Sequence, residues 1–99
     1  MYGTVARTRL KPGMEERMRR MSDAENALQI PGFIAQYVYQ MDADPNEYYL
    51  VVIFESKEAY FANANNPEQN ARYQEMVEMM AAPPEWHDGE IVYVWPPQQ

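Results

Sequence analysis

The side chains able to do chemistry in this chain fall into a few small groups. Arg7 and Arg9 share one face of an alternating segment. Two guanidiniums so placed can hold a phenolate, enolate or carboxylate through charge-assisted hydrogen bonds. Tyr37 with Tyr39, and Tyr93 with Trp95, repeat at every second residue and could wall a pocket for a flat ligand. His87, the single imidazole, stands in Trp86-His87-Asp88-Gly89 and is suited to proton transfer near neutral pH. On this reading His87, Tyr37 and Tyr39 are the candidate catalytic groups, and Arg7, Arg9, Tyr93 and Trp95 the candidate substrate contacts. Each group also has a plainer role. The arginines can form surface ion pairs, the aromatics can fill a core or an interface, and His87 can be a solvated turn residue, since Asp-Gly before a strand is ordinary turn chemistry. If the arginines face inward, they demand acidic partners or an anionic ligand, because two buried guanidiniums cannot remain unpaired.

Other chemistries lack their residues. With no cysteine, thiolate nucleophiles, disulfides and thiolate metal sites are excluded. One histidine disfavours an all-protein imidazole metal site, and no Ser-His-Asp set, metal-spaced carboxylate cluster or phosphate-cradling glycine loop is visible, so neither metal nor cofactor is expected. A net charge of −7 argues against nucleic acid and anionic membranes as partners. The first residues lack an apolar segment behind a basic start, and no uncharged apolar run approaches the roughly 20 residues of a membrane span, which points to a cytoplasmic protein. Six of the 8 basic residues lie in the first 20 positions, whereas 13 of the 15 acids lie beyond them, so a basic N-terminal part should face acidic later segments.

The elements that must position these groups follow from periodicity. Tyr2 to Leu10 alternates with period two and reads as a strand, stopped by Lys11-Pro12-Gly13. Met14, Met18, Met21 and Leu28 then fall on one face of an amphipathic helix, with Glu25 inside the same arc as a candidate buried carboxylate or a snorkelling side chain. Phe33 to Met41 alternates again, and the turn-rich Asp42 to Asn46 joins it to the apolar run Tyr48 to Phe54, giving a hairpin. Ser56 caps a short helix, Lys57 to Ala64, and Asn66-Pro67 restarts a second, which Pro83-Pro84 ends. The last strand is expected at Glu90 to Trp95.

The ninety-nine residues thus form a single α+β domain, residues 1–99, with the ferredoxin-like order β-α-β-β-α-β: an antiparallel sheet with helices on one face, since right-handed crossovers send both connections to the same side. The strands are apolar on both faces. The uncovered face therefore requires a cover, and a second copy is the simplest one, which predicts a homodimer joined through the open sheet face into a dimeric α/β barrel.

Three stretches resemble the antibiotic biosynthesis monooxygenase family of dimeric α/β barrels: Arg9-Leu10-Lys11-Pro12-Gly13-Met14-Glu15-Glu16, Ile30-Pro31-Gly32-Phe33, and Phe54-Glu55-Ser56-Lys57-Glu58-Ala59 running into Asn65-Asn66-Pro67-Glu68. The resemblance implies the same fold. It leaves the reaction open, because such relatives include cofactor-free oxygenases of polycyclic phenols, haem-degrading enzymes and isomerases. Where many members carry a tryptophan, Phe54 stands here, and where many carry a histidine on the second helix, Asn63 stands, able to hydrogen-bond a substrate but not to act as a base. Without that histidine haem ligation loses its axial ligand. The resemblance favours a cofactor-independent monooxygenase-like enzyme acting on a small aromatic or enolic molecule. The alternative is a non-catalytic small-ligand-binding or stress-response dimer of the same fold.

Overall fold

The computed structural model describes residues 1–25 and 28–97. Its elements are β1 (Tyr2–Arg9), α1 (Glu15–Glu25), β2 (Phe33–Met41), β3 (Asp44–Phe54), α2 (Lys57–Ala64), α3 (Pro67–Glu78) and β4 (Glu85–Glu90). The fold is α+β, a four-stranded antiparallel sheet in the order β2-β3-β1-β4, as the ferredoxin-like reading requires. The hairpin between β2 and β3 is tighter than expected: β3 begins at Asp44, so only Asp42 and Ala43 turn the chain. Asn46 N–H donates to the Asp44 carboxylate (3.0 Å) and holds that corner.

The last strand departs further from expectation. β4 runs Glu85–Glu90, five residues ahead of the apolar Glu90 to Trp95 run, and it pairs with β1 from Tyr2↔Glu90 to Arg7↔Glu85. Its sequence, Glu-Trp-His-Asp-Gly-Glu, has no apolar alternation. It becomes a strand because the edge of β1 offers it a ladder, a tertiary cause that overrides local propensity. Ile91 keeps one backbone bond, donating to Met1 O at 2.9 Å, and beyond it Val92, Tyr93 and Trp95 stand 88%, 79% and 76% exposed.

The alternation of β1 divides the two faces. Tyr2, Thr4, Ala6, Thr8 and Leu10 are buried toward the helices, whereas Val5, Arg7 and Arg9 face the other way. The register carries the division across the sheet, so Tyr37, Tyr39, Tyr49, Val51 and His87 lie on the open face with Val5, and Gln36, Val38, Leu50, Val52, Trp86 and Asp88 lie on the helix face with Thr4 and Ala6. The core sits at the end where β1 meets α1 and α3. Leu10, Met79 and Met80 are buried there, and Met14, Met18, Met21, Tyr48 and Met76 pack against them. Three of the four residues in the predicted stripe of α1 thus do pack inward; Leu28 lies past the end of the helix and is half exposed. The side chain of Glu25 lies outside the described residues.

Candidate functional site

Between the sheet and α2/α3 lies a cleft of about 470 Å³, within the range of roughly 300–1,000 Å³ usual for small-molecule sites. Its floor is Thr4, Gln36, Leu50, Val52, Phe54, Trp86 and Asp88; its roof is formed by Tyr60, Phe61, Asn63 and Ala64 of α2 with Gln69, Arg72, Tyr73 and Met76 of α3. Local chemistry sets that roof. The Ser56 hydroxyl accepts from Ala59 N–H (3.1 Å) and starts α2, while Asn66 Oδ1 accepts from Glu68 N–H (2.8 Å) and Pro67 occupies the first turn of α3. On α3, Gln69, Arg72, Tyr73 and Met76 then recur at i, i+3, i+4 and i+7, one face turned to the sheet.

Among the residues lining this cleft, Asp88 is the one carboxylate and Arg72 the one guanidinium. Asp88 is the β4 neighbour of Thr4 across the ladder. Tyr60 Oη–H donates to Asp88 Oδ1 at 2.9 Å, at the accessible mouth of the cleft. The ring of Tyr60 is fixed by Tyr2 (centroids 5.3 Å apart), by Phe54 edge-to-face (5.6 Å) and by Phe61 (5.1 Å). Burial, reinforced by the hydrogen bond to the Asp88 carboxylate, pushes the Tyr60 phenol up to about 12, so it stays a proton donor throughout the neutral range.

Arg72 Nε is buried without a hydrogen-bond partner, and Thr4 Oγ1, on a residue only 4% exposed, makes no well-formed bond but stands beside the Tyr60 phenol, where it acts against the rise in that group's pKa. Arg72 spends Nη2 on the Oε1 of Gln69 one turn earlier (2.8 Å), which fixes the guanidinium plane and leaves Nε–H unused. Buried polar groups are almost always satisfied, and exceptions gather where a ligand completes the set. Tyr73 of the roof meets Trp86 of the floor at an inclination, with ring centroids 5.9 Å apart. The arrangement thus offers a carboxylate that can take a proton, a hydroxyl that orients it, two donors for a developing oxyanion, and aromatic walls.

Of the candidate catalytic and substrate-contact residues named from the sequence, Asn63 reaches this cleft and the others do not. Arg7 and Arg9 lie on the open face and have acidic partners: Arg7 Nε is 2.6 Å from Glu47 Oε1, and Arg9 pairs with Asp44, whose carboxyl is held below its usual range by the Asn46 N–H and by that arginine. Tyr37 and Tyr39 are on the same open face, about half exposed. His87 is on β4 rather than in a turn, again on the open face, with Nε2 3.1 Å from Glu85 Oε1. Tyr93 and Trp95 lie beyond β4, outside any strand. The charge asymmetry resolves as surface pairing, with Arg17 also reaching Glu78 at 3.7 Å. Sequence reasoning missed Thr4, Tyr60, Arg72 and Asp88, which only the register of β4 on β1 and the docking of α2 bring together. Among the described residues no three His, Cys, Asp or Glu gather as a metal site, and no helix is long and apolar enough to cross a membrane.

Comparison with known proteins places this geometry in context. The sequence model of the antibiotic biosynthesis monooxygenase family matches residues 1–79. No curated protein sequence matches the chain. Solved structures that resemble it include SnoaB, a cofactor-independent oxygenase from Streptomyces nogalater seen as a single-site variant, with TM-score 0.78, 13% identity and 97% of each chain covered. A candidate antibiotic biosynthesis monooxygenase from Chloroflexus aurantiacus J-10-fl gives TM-score 0.75 at 24% identity, covering 94% of each chain. A protein of unknown function from Nitrosomonas europaea gives 0.76 at 17%, covering 99% of this chain and 95% of that one. At such identities the likeness shows the fold.

Proposed function

The chain belongs to the antibiotic biosynthesis monooxygenase family, and we propose that it is a cofactor-independent oxygenase of a small aromatic or enolic molecule bound in the helix-side cleft. The observation that carries this reading is the juxtaposition of Asp88, Tyr60, the Thr4 hydroxyl beside that phenol and the unpartnered Arg72 Nε on the walls of one cleft. The substrate is a phenol or enol with an activated methylene. Asp88 takes one methylene proton through the carboxylate oxygen that Tyr60 leaves free, and Arg72 and Thr4 donate to the substrate oxygen on which the negative charge collects. The electron-rich anion passes an electron to dioxygen, and recombination forms a carbon–oxygen bond. Asp88 returns its proton to the peroxide anion so formed, and the hydroperoxide loses its second C–H proton together with the outer OH as water, leaving a carbonyl. One oxygen atom enters the product and the other becomes water, with all electrons supplied by the substrate. Asn63 and Gln36, on opposite sides of the cleft, provide further hydrogen bonds for orientation.

The same reading includes a homodimer closed through the open sheet face, supported by the exposure of Val5 (45%), Tyr37 (55%) and Tyr39 (54%) there. Oxygen uptake with anthrone-like methylene phenols tests the activity. One dioxygen should be consumed per substrate without added metal or flavin, and Asp88→Asn should slow turnover by about 10²–10⁴-fold, the usual contribution of a general base. Tight binding of these phenols without oxygen consumption would replace the enzyme with a ligand-binding protein.

A further inference from the structure

A second chamber of about 310 Å³ adjoins the first on the same side of the sheet, beneath α1. The two share Gln36, Leu50 and Met76 as lining, so they lie side by side with those side chains between them. Their chemistry differs. The first is lined by Asp88, Tyr60, Arg72 and Asn63, whereas the second is mainly hydrocarbon, from Leu10, Met18, Met21, Val38 and Met80, with Thr8, Ser22, Glu15 and Arg19 also on its walls. Val38 faces the helices, in register with Leu50, yet it is 54% exposed: no element among the described residues covers that wall. Methionine side chains are unbranched and adapt to occupants of variable shape, unlike the branched residues that fill a fixed core.

The geometry points to a ligand of two parts, a phenol or enol head among Tyr60, Asp88 and Arg72 and an unbranched hydrocarbon tail running past Leu50 into the methionine-lined chamber. This rests on the proposed head site and adds the class of molecule that fits it. A compact polycycle would fill the first chamber and leave the second uncovered. A tail of several methylenes covers Val38, Met18 and Met21 and removes apolar surface on both sides from water.

Calorimetric titration of the full chain with phenol, 4-butylphenol and 4-octylphenol tests the inference. Affinity should rise roughly three- to four-fold per methylene over the first few carbons. In Met21→Trp, which fills the chamber, the ratio of the phenol and octylphenol dissociation constants should fall toward one. An octylphenol analogue ending in a neutral amide, which the chamber's charged residues cannot hold as an ion pair, should lose much of the gain in the native chain, a check that needs no variant to fold. Phenol binding with no dependence on chain length would overturn the tail chamber and leave the head site standing. A gain that persists unchanged in a folded Met21→Trp protein would also overturn it. Absence of binding by every member of the series would overturn both readings.

Discussion

The proton inventory of the cleft turns on Tyr60, whose phenol is raised to about 12 chiefly by burial and then by the Asp88 carboxylate. Linkage gives the direction of its effect. Below about pH 10 the phenol is protonated in both folded and unfolded chains, so its contribution to stability is fully present. As pH rises from about 10 toward 12, the unfolded chain releases this proton while the folded chain retains it. The folded state then binds more protons than the unfolded one, and stability falls with pH. Tyr60→Phe removes this one titration. Denaturation curves for native and variant chains between pH 9 and 12 should therefore converge as pH rises, the native protein losing more. Parallel curves would show that the phenol has the same affinity for its proton in both states. The same substitution also frees Asp88 Oδ1 from its donor, so oxygen uptake should drop in the variant at neutral pH, where stability is unaffected by the titration.

At the scale of elements, the site depends on how α2 is seated. Gly32, at the start of β2, adopts φ +77, and its carbonyl accepts from Glu55 N–H at 2.8 Å, which ties the β2 lead-in to the chain just before Ser56. A Cβ there would stand 2.5 Å from the Cβ of Ala59, one residue before Tyr60. Gly32→Ala therefore combines left-handed backbone strain with a clash against the first turn of α2. It should cost about 1–3 kcal/mol, which lowers the melting temperature of a domain this size by roughly 4–8 °C per kcal/mol. Thermal melts check the stability, and loss of oxygen uptake beyond the unfolded fraction would report displacement of Tyr60. The sequence made such devices legible: Ile30-Pro31-Gly32 as a break, Ser56 and Asn66-Pro67 as helix starts, and the period change from β1 to α1. It did not make β4 legible, because an edge strand made of Glu85, Trp86, His87, Asp88, Gly89 and Glu90 has no apolar period, and the more strand-like run of Val92 to Trp95 drew the assignment instead. That error hid the site. With β4 placed five residues late, Asp88 read as a turn residue, and nothing connected it to Thr4 or Tyr60.

For the whole molecule, the decisive feature is a sheet with one face covered and one bare. Val5, Tyr37, Tyr39 and Val51 run across the bare face in register, flanked by the Arg7–Glu47 and Arg9–Asp44 pairs toward one end. Soluble monomers rarely leave a contiguous apolar patch of this kind in water. In the proposed dimer, the arginines named from the sequence as candidate ligand contacts would sit at the interface margin, where paired charges set orientation more than affinity. The exposed Val92, Tyr93 and Trp95 add apolar surface that a second copy can also cover. Tyrosines at the centre of an interface are frequent anchors, each worth about 2 kcal/mol or more on truncation, or roughly a 30-fold change in dissociation constant. Tyr37→Asp goes further, since it places a carboxylate on a face that the proposed dimer would desolvate. In sedimentation velocity at micromolar concentration the native chain should run as a dimer and Tyr37→Asp as a monomer or a dimer weakened at least 30-fold. Because Tyr37 lies across the sheet from the cleft, a folded monomeric variant should still bind phenols. A native chain that stays monomeric and folded across this range would mean that the bare face tolerates water, and the requirement for a second copy would fall with it.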